Sequence, residues 1–132
     1  MCFLVLFMGK IEGYRIFAFC VFVFMGVLIF YMSTVTFPAA PPSSFVVHWR
    51  SMTYHVIAFF IFASFLLVAL AGDKNWKIFL VGILVSFMYG VLDELHQIYV
   101  PGRGATIFDA FMDFIGVLLA GVVYLGFRRR GR

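Results

Sequence analysis

Four long apolar stretches constrain this chain more than any other feature of its sequence. They cover residues 16–37, 52–71, 76–99 and 106–127. A helix needs about 20 predominantly apolar residues to cross a bilayer, and each stretch reaches that length. Helices are the default because each satisfies its own backbone hydrogen bonds, whereas an open sheet in lipid does not. The sequence therefore predicts an all-α, polytopic membrane bundle of four transmembrane helices, in one domain that spans residues 1–132.

Composition supports a membrane protein and excludes several other classes. The chain is 64% hydrophobic and only 12% charged, whereas soluble domains are about half apolar and a quarter charged. Its two cysteines, Cys2 and Cys20, predict neither a disulfide framework nor a metal motif. The sequence contains no nucleophile elbow, phosphate loop or zinc-protease motif. We expect no metal and no cofactor, and we read the basic pI as a sign of membrane topology rather than of nucleic-acid binding.

The segments outside the four stretches carry weaker signals. Residues 1–10 are apolar but too short to span, so we expect them to lie at the membrane interface or beside the bundle. Prolines and serines predict an extended link over residues 36–50, which places His48 in a loop. "PG" at Pro101 and Gly102 predicts the end of the third helix.

The basic residues predict the orientation of the chain. Eight of the ten lysines and arginines lie before the first helix, between the second and third, or after the fourth. Only Arg50 and Arg103 lie in the other two loops. The positive-inside rule then places both termini in the cytoplasm. We expect an integral protein of the prokaryotic cytoplasmic membrane whose basic tail also contacts anionic lipids.

With this topology, polar side chains from three helices meet at the outer end of the bundle. Four of the six acidic residues lie between residues 91 and 116, and all three histidines fall on the outer side. Ionisable groups inside a membrane are costly and mark functional sites by default. The predicted polar cluster, which would bind a ligand, consists of His55, Asp93, Glu94, His96, Gln97, Arg103, Asp109 and Asp113.

Small residues recur at helical spacing below this cluster and predict close helix packing. The third helix carries Gly82, Ser86 and Gly90 on the face of Asp93, and the fourth carries Gly116 and Ala120 on the face of Asp113. Small residues let helix backbones approach closely in lipid. We therefore expect the third and fourth helices to pack on these two faces and to splay apart at their outer ends.

Several members of the cluster have a structural alternative. Thr106 and Asp109 form a Thr-x-x-Asp pattern that is typical of a helix N-terminal capping box. Asp113 lies too deep to cap and would pair with Arg103 or with a histidine. Arg103 would either neutralise carboxylates or bind an anionic headgroup in bidentate fashion. Asp93 and His96, with His55 and Asp109 or Asp113, could ligate a divalent ion. Their spacing alone is a weak signal for a metal, and a hydrogen-bonded ion-pair network is the favoured alternative.

The run from Tyr89 to Gly121 resembles the VanZ-like family. The resemblance rests on Asp-Glu-x-x-Gln, a Pro-Gly-Arg turn, an Asp that opens the last helix, and a polar residue followed by Gly. A His followed by aromatics, "YHVIAFFIFA" around His55, extends it to residues 50–121. This chain departs from the family at three positions. Family members usually have Asn where this chain has Asp113, and they often have an Asp-Lys pair where it has Ser51 and Met52. The family is named for a protein linked to resistance to teicoplanin, a lipoglycopeptide that acts at the outer membrane face.

Three functions follow as hypotheses. The first is a polar pocket at the outer leaflet that binds an amphiphile, such as an amphiphilic antibiotic or envelope lipid, with Arg103 on its anionic head. The second is an accessory subunit of a larger membrane complex, with other membrane proteins as partners. The third is an enzyme on a lipid-linked substrate, with Asp93 or Glu94 as general base and His55 or His96 as acid. Amphiphile binding is the preferred hypothesis, and the enzyme hypothesis is the least favoured.

Overall fold

The computed structural model describes residues 2–36, 45–70, 75–103 and 106–130, and within these ranges it describes side chains from Gly13 onward, except those of residues 45–48 and 130. The described backbone forms four α-helices and contains no strand. They are α1 (Cys2–Thr34), α2 (Phe45–Ala69), α3 (Trp76–Ile98) and α4 (Ile107–Arg130). All four are long and apolar enough to cross a membrane. The predicted all-α membrane bundle is confirmed.

Two helices begin earlier than the sequence predicts. Residues 2–10, expected to lie at the membrane interface or beside the bundle, are instead the start of α1, which runs for 33 residues without a break. At 1.5 Å per residue α1 is about 50 Å long, well beyond the roughly 30 Å of hydrocarbon. α2 begins at Phe45, so the backbone of His48 is helical rather than in a loop. The prolines of the link lie outside the described residues, and the apolar residues after them extend the helix.

Local chemistry sets both ends of α3. Asn75 precedes its first residue, and the Asn75 side chain accepts a hydrogen bond from the Lys77 N–H at 3.0 Å, a typical N-cap. After the helix, the Arg103 N–H donates to the Val100 carbonyl at 3.1 Å, which closes a four-residue turn. Gly102 has φ of 82° at the third position of this turn, where a type II turn requires a positive φ after proline. The predicted stop signal therefore operates through turn geometry.

α2 is the centre of the bundle. It packs against each of the other three helices, whereas α1 and α4 do not contact each other in the described part of the chain. The core is formed mainly by large side chains of α2, namely Phe59, Phe62 and Leu67, together with Ile29 of α1 and Val117 of α4. At most 39% of the residues in any spanning window are buried inside the protein. The remaining apolar surface faces outward, as expected of a small bundle surrounded by lipid.

Candidate functional site

The buried polar side chains gather at one end of the bundle, where α1 and α3 end and α2 and α4 begin. We call this the Arg103 end. At the boundary of α1 and α3, the Ser33 hydroxyl donates to Asp93 Oδ1. The Gln97 amide donates to Asp93 Oδ2 at 2.9 Å and to Ser33 Oγ at 3.3 Å. All three side chains are buried. This first group joins α1 to α3 through hydrogen bonds that are shielded from solvent.

A second group joins α2, α3 and α4. His55 Nδ1 lies 2.8 Å from Asp113 Oδ1 and 3.9 Å from Glu94 Oε1. Asp113 is fully buried, and His55 and Glu94 are 4% and 7% exposed. The Gln97 amide lies 3.5 Å from Glu94 Oε1, which connects the two groups. The expected meeting of three helices at one level therefore holds for these residues, and Asp113 has a histidine as its partner.

Thr106 connects the second group to the start of α4. Its hydroxyl accepts a hydrogen bond from the Asp109 N–H at 3.0 Å and donates to Asp109 Oδ2 at 2.7 Å. The predicted cap is present, but the Thr106 N–H donates to Glu94 Oε2 of α3 at 3.1 Å instead of to Asp109. In a capping box the acid of the same helix takes that N–H. Here Glu94 takes it, so the cap also ties α4 to α3.

Arg103 does not pair with a carboxylate among the described residues. Its Nη2 donates to the backbone carbonyl of Met32, near the end of α1, and its Nε is buried without a hydrogen-bond partner. A cation at a helix C-terminus satisfies a free carbonyl and complements the helix dipole. The prediction that Arg103 neutralises the carboxylates is therefore wrong for the described structure. Arg103 instead joins the turn after α3 to the end of α1.

His96 and Asp109 lie apart from the second group. The His96 ring packs against Phe30 of α1 with centroids 4.5 Å apart, and its Nε2 is buried without a hydrogen-bond partner. Asp109 is half-buried and is engaged by Thr106. Neither belongs with His55, Glu94 and Asp113, whose donor atoms all lie within 4.8 Å of one another. The sequence predicted His96 as a member of the cluster from its spacing along α3. Spacing within one helix does not show that this side chain turns toward α1.

The small residues are buried as expected, but their partners differ in part. A Cβ at Gly90 would lie 3.1 Å from Asp113 Cβ, so α3 and α4 do meet there. A Cβ at Gly82 would instead meet Leu67 of α2. A Cβ at Gly116 would lie 2.5 Å from the Val56 carbonyl oxygen, which is also in α2. α3 and α4 therefore do pack together, at Gly90 with Asp113 and at Ile83 with Gly121, whereas Gly82 and Gly116 of the two predicted faces contact α2. The remaining members, Ser86 and Ala120, are buried as well.

A groove of about 660 Å³ opens between α1 and α2 at the Arg103 end. Its walls are mainly apolar and aromatic, and Arg50 and Thr53 are its polar members. We call it the Arg50 groove; its lining residues are Met25, Trp49, Arg50, Thr53, Tyr54, Ile57, Ala58 and Ile61. Arg50 is exposed and forms no ion pair with another described side chain. The groove therefore combines an apolar trough with an available cation.

Sequence reasoning missed two contributors to this end of the bundle. Ser33 is the buried partner of Asp93, and the Met32 carbonyl is the acceptor for Arg103. A hydroxyl in the last turn of an apolar helix, at the level of the acids, was the available signal for Ser33. A backbone carbonyl leaves no signal in a sequence.

Comparison with known families gives one result that covers nearly the whole chain. The model of the family described as VanZ/LLP1 matches residues 3–128. Comparison with curated proteins and with solved structures gives no match. The match includes all four helices and the polar residues on which the resemblance rested, and on this ground the chain belongs to the VanZ/LLP1 family.

Proposed function

We propose that this protein binds an amphiphile with an anionic head in the Arg50 groove, at the outer leaflet of the prokaryotic cytoplasmic membrane. The observation that carries the proposal is the position of an available guanidinium beside an apolar trough of about 660 Å³. Ligand sites of this size are typically apolar with a few polar groups that fix orientation. The outer location follows from the charge bias of the loops, because Arg50 lies on the side with few basic residues.

Arg50 takes the role that the sequence suggested for Arg103. Arg103 is occupied by the Met32 carbonyl and is half-buried, whereas Arg50 is exposed beside the groove. A guanidinium matches phosphate and carboxylate in bidentate fashion, which provides specificity for an anionic head. Trp49 adds an amphipathic ring of the kind that settles at the membrane interface. The groove would thus hold the acyl part, and Arg50 the head.

Hydrogen bonds between buried side chains near the groove hold its α2 wall in a fixed position. Tyr54 of α2 lines the groove, and the next residue is His55. The Nδ1 atom of His55 lies 2.8 Å from Asp113 Oδ1 of α4. Hydrogen bonds between buried side chains hold α2 against α4 and α1 against α3. A site placed on packed helices loses less conformational entropy on binding than one on loops. A role in the cell envelope related to glycopeptide resistance, which the family resemblance implies, is consistent with binding of such an amphiphile.

Native mass spectrometry after mild solubilisation tests this proposal. The wild-type particle should be a monomer or homo-oligomer that retains phosphatidylglycerol in preference to zwitterionic phosphatidylcholine. Arg50→Gln should weaken that preference about tenfold, since one charge-assisted hydrogen-bond pair is lost. Ile57→Trp should reduce retention of both lipids, because the larger ring fills the groove that Ile57 lines.

Matched controls lie elsewhere on the bundle. Lys77→Gln removes an exposed cation at the opposite end, and Leu84→Trp enlarges an exposed side chain of α3. Both should retain lipid like the wild type. Equal retention by Arg50→Gln and Lys77→Gln would contradict the proposal. A particle of fixed stoichiometry with other proteins would instead favour the accessory-subunit function.

A further inference from the structure

We infer that His55, Glu94 and Asp113 form a binding site for a divalent transition-metal ion, with Zn²⁺ as the ion that fits the donor set best. Each residue comes from a different helix, and their ligand atoms all lie within 4.8 Å of one another. All three are buried. One imidazole nitrogen and two carboxylates are ligands that Zn²⁺ accepts. This inference is independent of the Arg50 groove, which lies between α1 and α2.

The distances between donor atoms suit a small ion. Zn²⁺ binds nitrogen and oxygen at about 2.0–2.2 Å, so neighbouring donors around a tetrahedral ion lie roughly 3.3 Å apart. His55 Nδ1 lies 2.8 Å from Asp113 Oδ1 and 3.9 Å from Glu94 Oε1. These two separations lie on either side of the required value. The third pair, Glu94 and Asp113, has donor atoms within 4.8 Å, so the side chains would draw together around the ion.

A second observation, a buried carboxylate oxygen without a partner, favours a cation at this site. Asp113 has no solvent exposure, and its Oδ2 has no hydrogen-bond partner among the described residues. Its Oδ1 is engaged by His55, so Oδ2 is the oxygen of this carboxylate that is left for a cation. A buried acceptor without a partner is costly, more so when it belongs to a carboxylate. Arg103, the cation of the nearby turn, is engaged by Met32. A metal ion would supply the partner that the described side chains do not.

The surroundings hold the ligands in place. Glu94 Oε2 accepts the Thr106 N–H at 3.1 Å, which leaves Oε1 toward His55. Hydrogen bonds of this kind orient metal ligands and tune their affinity. A Cβ at Gly90 would lie 3.2 Å from Asp113 Oδ2, so a larger residue there would crowd the carboxylate. Two carboxylates, a neutral imidazole and a divalent ion sum to zero charge, which is the favourable state inside a membrane.

Calorimetric titration of the full chain with Zn²⁺ tests the site. The protein is purified in detergent without a histidine tag, treated with a chelator and titrated with Zn²⁺ alone. The wild type should bind in a single saturable step. Glu94→Gln and Asp113→Asn should each weaken binding by at least about 100-fold, because outer-shell changes already cost roughly 10–100-fold. Glu94→Gln keeps an oxygen for Thr106, so the variant retains the bond that supports α4.

Two control variants separate this site from adventitious binding. Glu12→Gln removes a carboxylate from the first half of α1, far along the helix from Ser33, and His96→Ala removes the imidazole that packs on Phe30. Both should bind Zn²⁺ like the wild type. The inference is overturned if the wild type does not bind Zn²⁺, or if Glu94→Gln and Asp113→Asn, shown to be helical by circular dichroism, bind as tightly as the controls. An equal loss in the control variants would also overturn it, since binding would then be nonspecific.

Discussion

Asp93 shows how a single acidic residue is accommodated at membrane depth. It is 5% exposed, and both of its oxygens accept hydrogen bonds, one from Ser33 and one from Gln97. Buried polar groups are tolerated when they are satisfied and are costly when one partner is removed. Because Ser33 belongs to α1 and Asp93 to α3, this small network also fixes the relative position of two helices.

Ser33→Ala should destabilise the bundle by about 1–3 kcal/mol, since Asp93 Oδ1 would lose its buried donor. Chemical unfolding in mixed micelles, followed by circular dichroism, measures the free energy of unfolding. Thr34→Ala is the matched control. Its hydroxyl is exposed and bonds only the Tyr31 carbonyl of its own helix, so the change should be within about 0.5 kcal/mol. Equal stabilities of the two variants would show that the network contributes nothing measurable.

The contact between α2 and α4 depends on the absence of a side chain at Gly116. A Cβ there would lie 2.5 Å from the Val56 carbonyl oxygen and 2.9 Å from the Phe60 nitrogen. Both atoms belong to the backbone of α2, so they cannot move aside without separating the helices. Small residues at helix interfaces in membranes serve this purpose. The same close approach brings Asp113, one turn earlier, to His55.

Gly116→Ala should therefore destabilise the protein by about 1–3 kcal/mol or more, the usual range for overpacking. Gly126→Ala in the same helix is the control, because a Cβ there meets nothing within 4 Å. That substitution should be neutral or stabilising by about 0.5–1 kcal/mol, as alanine is the better helix former. Thermal unfolding in detergent compares the two. A Gly116→Ala variant as stable as Gly126→Ala would refute the close backbone contact.

At the scale of the whole molecule, the charge bias predicts an orientation that the fold alone does not specify. Eight of the ten basic residues flank one side of the four spans. The alternation of helices then places the Arg103 end, with its buried polar groups, on the opposite side. We propose that this end faces outward and that both termini lie in the cytoplasm.

Fusions expressed in a bacterium test the orientation. Alkaline phosphatase, active only after export, should be inactive when fused after Arg132 and active when fused after Gly102 in a truncated chain. Green fluorescent protein at the same two positions should give the opposite pattern. Active phosphatase after Arg132 would reverse the topology and would move the proposed Arg50 groove to the cytoplasmic leaflet.

The sequence by itself determined the class of fold and the level at which the polar residues lie. Apolar length sets the number of spans, because every backbone group in lipid must bond within its own helix. Alternating direction then brings His55, Asp93 and Asp113 to one end. The cap at Thr106 and the stop at Gly102 were also predictable, since each depends on neighbours in the chain.

Only the tertiary structure decided which of these residues meet. Helical phase places Gly116 on a face but does not identify the helix opposite, and α2 rather than α3 occupies that place. The same applies to Arg103, whose acceptor is a backbone carbonyl of α1, and to His96, which turns toward Phe30. Side-chain partners across helices depend on rotation and packing of whole elements. That information is spread over the whole chain and is not present in any local pattern.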